Sequence, residues 1–88
     1  MHEGRWFGSA RLTREGSGYC PPNVNLSGIV KDNIFNGGGV SIRIRSRTKR
    51  VTDISMQGMS VRSTSGTFDS FTFETSGGCI YSVRMFRQ

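Results

Sequence analysis

Residue types that catalyse reactions or ligate metals are sparse in this chain. Histidine occurs once, as His2, so a Ser-His-Asp or Cys-His arrangement would depend on a base at a loose end. The carboxylates Asp32, Asp53, Asp69 and Glu74 fall at turns or mid-strand without paired spacing, which suits capping and turn roles. Gly37-Gly38-Gly39 lacks the Lys-Ser/Thr of a phosphate loop and leads into a strand, so it reads as a turn. Two cysteines, Cys20 and Cys79, with a single histidine do not make up the four closely spaced ligands of a zinc site. These residues point away from an enzyme and imply no metal and no cofactor.

What remains is arginine. Twelve basic residues stand against six acidic ones, for a formal charge of +6, and ten of the twelve are arginine. A guanidinium is a planar fork of donors that suits phosphate, sulfate or carboxylate better than an ammonium does. The densest run lies between Gly37 and Arg50. There Val40, Ile42 and Ile44 alternate with Ser41, Arg43 and Arg45, so a strand would carry one aliphatic and one guanidinium face. Arg47 keeps the parity of Arg43 and Arg45, and Lys49 and Arg50 follow. Arg84 projects similarly from the last strand and Arg11 from the first, with Phe7 and Phe86 also of outward parity. Two uses fit such a face: recognition of an anionic partner, or a solvated surface that keeps strands from pairing edge to edge.

The elements that must position these residues are strands. The first runs from about Arg5 to Arg14, with Trp6, Ala10 and Leu12 inward and Gly8 at an inner position where a neighbour crosses closely. The second starts near Tyr19, is interrupted by Pro21-Pro22, and continues from Val24 to Lys31. Asp32-Asn33 is a tight turn, Ile34-Phe35 a short return, and Ser46 to Lys49 the turn after the basic strand. Arg50 to Met56 comes back with Thr52, Ile54 and Met56 on one face. Ser63 to Gly66 is a polar turn, and Thr67 to Thr75 a strand with Phe71 and Phe73 inward. Cys79 to Arg87 closes the chain. No window has a helical period, and strand-sized runs punctuated by Gly, Ser and Asn indicate an all-β antiparallel meander. Closing it into a six- to eight-stranded barrel removes the exposed edges.

Eighty-eight residues make one domain, read here as residues 5–88 behind a flexible end at 1–4. A chain this short is marginal without a staple. The two cysteines are either disulfide-bonded or free thiols, and parity favours the bond. Cys20 shares a face with Val24, Leu26 and Val30, and Cys79 with Tyr81, Val83 and Met85, so both point inward. A bond would imply an oxidising compartment. No run approaches the ~20 apolar residues that span a bilayer. His2, Glu3 and Arg5 interrupt any hydrophobic start, so Met1 reads as an initiator in front of a mature domain.

Gly4-Arg5-Trp6 on the first strand, Cys20 on the second, and the run from Cys79 through Tyr81, Val83 and Met85 to Arg87 together resemble small secreted or periplasmic bacterial β-barrel domains. Lipocalin-like families and barrel-shaped bacterial protease inhibitors share such a first-strand Gly-x-Trp and sometimes a strand-bridging disulfide. The resemblance implies a barrel and an exported location. The expected function is a non-enzymatic, exported binding module that recognises an anionic surface or protein partner through Arg43, Arg45, Arg47, Lys49 and Arg50, with Arg84 projecting similarly from the final strand. The alternative is a nucleic-acid-binding barrel of the OB or cold-shock kind, using these arginines with Phe7 or Phe86.

Overall fold

The computed structural model describes residues 3–88. His2, on which any histidine chemistry would rest, lies outside the described residues. The chain forms eight antiparallel strands: β1 (Gly4–Arg14), β2 (Asn23–Lys31), β3 (Ile34–Gly37), β4 (Val40–Ile44), β5 (Val51–Met56), β6 (Val61–Thr67), β7 (Ser70–Thr75) and β8 (Ile80–Arg87). Their order in the sheet is β5-β4-β3-β2-β1-β8-β7-β6. Consecutive strands pair with each other except β5 and β6, and the first and last strands pair as well. The outer strands β5 and β6 meet through an isolated bridge between Arg50 and Thr67, and the Thr64 hydroxyl donates to the Val51 carbonyl at 3.1 Å. The barrel is thereby nearly closed.

Alternation fills the interior. Trp6 and Ala10 of β1, Leu26 and Val30 of β2, Phe35 of β3, and Val40, Ile42 and Ile44 of β4 are all buried. Phe71 and Phe73 of β7 and Tyr81, Val83 and Met85 of β8 complete the same core. Gly8 holds an inner position where a Cβ would strike the Arg84 carbonyl oxygen and come within 2.6 Å of Met85 Sδ. A side chain there would force β8 away from β1. Asp32 and Asn33 take φ of 54° and 62°, the left-handed pair that joins β2 to β3 in a two-residue hairpin.

Three parts of the strand layout differ from the sequence expectation. Ser63 to Gly66 is not a turn but the middle of β6, since Ser63, Thr64, Ser65 and Gly66 pair with Glu74, Phe73, Thr72 and Phe71. The turn falls instead at Phe68-Asp69, between Thr67 and Ser70. Polar composition misleads here because β6 lies at the barrel's weakly paired seam, where its inner face is only partly covered. The second departure is in β5, whose ladder with β4 shifts register so that Ile44 pairs with Val51 and Arg43 with Asp53. Thr52 is the extra residue of a bulge. Val51 turns inward and is buried, while Thr52 is exposed. In the third, β2 begins at Asn23, and Tyr19 to Pro22 form a loop ahead of it.

Cys20 and Cys79 are joined, with Cα atoms 6.0 Å apart. The bond holds the β1–β2 loop against the start of β8. Gly16 donates its N–H to Cys20 Sγ at 3.4 Å, and Thr75 Oγ1, a buried polar atom, accepts from the Cys79 N–H at 3.1 Å. The Tyr81 hydroxyl donates to the Pro21 carbonyl at 2.7 Å, and its ring stacks on Phe73 at 5.0 Å. Burial, and secondarily the neighbouring Tyr19, raise the Tyr81 phenol above its ordinary 10.0. An acid whose folded pKa is raised stabilises the fold below the unfolded pKa and loses that contribution as pH climbs through the folded value. Tyr81→Phe is therefore expected to cost about 1 kcal/mol at neutral pH through the lost hydrogen bond. In denaturant titrations it should lose less stability than the wild type above pH 10.

Candidate functional site

A meander alternates direction, so the turns fall at two ends. The disulfide end carries the β1–β2 and β7–β8 loops, and the opposite end carries residues 32–33, 45–50 and 68–69. The predicted basic residues concentrate at that opposite end. β4 stops at Ile44, so Arg43 alone among them stands on a strand face, opposite Ile34 of β3 and Asp53 of β5. Arg45, Arg47, Lys49 and Arg50 belong to the β4–β5 connection. The shared parity of Arg43, Arg45 and Arg47 thus ends with the strand, and what sequence describes as a sheet face is largely a hairpin tip.

That tip is shaped by its own backbone. Arg45 N–H donates to the Arg50 carbonyl and Lys49 N–H to the Arg45 carbonyl, both at 2.8 Å. Lys49 sits at φ 63°, and its ammonium folds back to donate to the Ser46 carbonyl at 2.9 Å. Phe68 N–H donates to the Lys49 carbonyl at 2.9 Å, which docks the tip onto the β6–β7 turn. Lys49 therefore serves the shape of the loop, and the guanidinium groups of Arg45, Arg47 and Arg50 stand in solvent on it. None of these arginines forms an ion pair among the described residues. A surface ion pair joins Arg62 to Glu74 at 3.5 Å, towards the disulfide end.

Arg84 lies elsewhere. It projects outward from β8, between Ser9 of β1 and Ser70 of β7. In this strand order β8 is four strands from β4, which is half a turn of an eight-stranded barrel. The structure separates Arg84 from the hairpin arginines and joins it to Arg11. Together with Ser9 and Ser82 these two arginines line an open groove of about 300 Å³ on the outer face of β1 and β8. One residue row further along, Phe7 and Phe86 face each other across the two strands. Their ring centroids are 5.7 Å apart at 33°, and the side chains are 45% and 51% exposed. Parity marked all four of these residues as outward; register alone makes them neighbours.

Set against protein-family models, curated proteins and solved structures, the chain matches none of them. Its fold and surface define the class directly: a small, disulfide-closed, eight-stranded β-barrel domain with two separate cationic surfaces. No helix among the described residues is long and apolar enough to cross a membrane.

Proposed function

We propose that this domain is a non-enzymatic binding module that engages an anionic partner, a polymer or a protein surface, through the basic hairpin tip. One observation carries the reading: five cations fall within the eight residues from Arg43 to Arg50, on a loop held by internal hydrogen bonds and docked to the barrel. A rigid cationic projection binds anions without first ordering itself, so less of the interaction energy goes to loop entropy. The disulfide supports an exported setting, secreted or periplasmic, where such bonds persist. The resemblance to lipocalin-like and inhibitor-type barrels extends in this reading to a small all-β barrel and no further. The interior is occupied by Trp6, Phe35, Phe68, Phe71, Phe73 and Tyr81, and recognition falls to the outside.

The test is a salt titration of heparin binding. The triple substitution Arg45→Gln, Arg47→Gln and Arg50→Gln should leave the fold intact, since solvated surface changes usually move stability by under ~0.5 kcal/mol each. Wild-type affinity should fall steeply with salt, and the triple variant's log–log slope should be shallower by roughly 2 to 3, about one released counterion per arginine removed. An unchanged slope and affinity would reduce the hairpin to a solvated surface.

A further inference from the structure

We infer that the outer face of β1 and β8 is a binding site for single-stranded nucleic acid, with bases stacked on Phe7 and Phe86 and a backbone phosphate held in the Arg11–Arg84 groove. The inference rests on the reading that the domain binds an anionic partner, and it assigns that partner a second, chemically distinct contact. Two half-exposed aromatic rings side by side on a sheet are sequence-tolerant stacking platforms, because every base has a π-face. The groove beside them offers two guanidinium forks and two serine hydroxyls, Ser9 and Ser82, a donor set suited to phosphate oxygens. The register fixes their spacing. Phe7 and Phe86 are paired, as are Ser9 and Arg84, and then Arg11 and Ser82. Alternate residues of a strand are about 7 Å apart, so base platform and phosphate groove lie within one nucleotide's reach of each other.

Charge selects this occupant over a second copy of the chain. A two-fold contact through Phe7, Phe86 and the exposed Ile29 would bring Arg5 and Arg84 of each copy against the same arginines of the other. An uncharged apolar partner would leave those guanidinium groups desolvated without counter-charges. Duplex nucleic acid keeps its bases stacked on one another and offers no face to the rings. The eight-stranded up-and-down order also differs from the five-stranded Greek-key barrel of an OB-fold, so the assignment comes from this surface and not from a fold analogy.

The experiment measures binding of a twelve-residue oligothymidylate, a duplex of equal length and heparin to the intact protein. Phe7→Ala with Phe86→Ala should weaken oligothymidylate binding roughly tenfold or more and leave heparin affinity unchanged. The tyrosine pair Phe7→Tyr and Phe86→Tyr, which keeps the rings, should retain it. Arg11→Gln with Arg84→Gln should lower the salt slope for the oligonucleotide by about 1 to 2, and this variant carries the test should the alanine pair fail to fold. Equal affinity for duplex and single strand, or an alanine pair that binds oligothymidylate like the wild type, overturns the proposal. Hairpin-dependent heparin binding without oligothymidylate binding overturns it too, while leaving the hairpin reading intact. Binding of neither polymer overturns it and removes the polymer form of the hairpin reading.

Discussion

Reducing the Cys20–Cys79 bond is expected to lower stability by about 4 kcal/mol. The bond closes a loop of 59 residues in sequence separation, and the chain-entropy model assigns roughly that much to a loop of such length. A domain of this size carries on the order of 4 to 13 kcal/mol in total, so reduction removes roughly three-tenths of it or more. The melting temperature should drop on the order of 20 °C. The contacts around the bond follow: the β1–β2 loop is tied to β8 by the disulfide and the Tyr81 hydroxyl, and to the β7–β8 turn by the Ser17 N–H donating to the Gly77 carbonyl at 2.8 Å. Thermal unfolding with and without a thiol reductant, repeated on Cys20→Ser with Cys79→Ser, measures the effect. A shift of only a few degrees would mean that the unfolded chain is already constrained near the loop-closed state.

Phe68→Ala is expected to cost about 3 to 5 kcal/mol, the range for deleting a buried aromatic ring. Phe68 is fully buried although it lies in a two-residue turn. It enters the barrel from the hairpin end, edge-on to Trp6 at 5.1 Å and tilted against Phe35 at 5.8 Å. The neighbouring core positions belong to ladders with fixed register, so the space it leaves is refilled only in part. Trp6, itself buried, should report the change as a red-shifted emission. Phe68→Leu should recover most of the loss by refilling the volume. If Phe68→Ala unfolds at nearly the wild-type denaturant concentration, the ring is not the plug its position indicates. Loss of the plug should also loosen the basic hairpin, whose Lys49 carbonyl accepts from the Phe68 N–H, and so weaken heparin binding at a distance from every arginine.

The strand content, the inward sets of β1, β4, β7 and β8, the outward parity of Phe7, Arg11, Arg84 and Phe86, and the pairing of the cysteines were all legible in the sequence. Each follows from a period-two pattern or from turn chemistry, and both are local properties of the backbone. The sequence could not place Phe68. An even position in a run read as Thr67 to Thr75 has outward parity, but the residue sits in the turn, where parity does not apply. It could not separate Ser63 to Gly66 from a turn either, because hydroxyl residues serve equally as turn formers and as a strand at a half-covered seam. Nor could it show the bulge at Thr52, which depends on the register of β5 against β4.

The candidate sites divide along the same line. Composition and spacing determined that the chain is basic, rich in arginine and poor in catalytic groups. Only the tertiary structure decided that these cations form two surfaces. Closure of the barrel through the β1–β8 ladder brings residues from the two ends of the chain into adjacent rows, so that Arg11 meets Arg84 and Phe7 meets Phe86. The same closure carries β4 half a turn away. Proximity across a sheet is set by strand order and register, which are non-local; a sequence pattern fixes which side of a strand a residue faces but not which residue stands beside it.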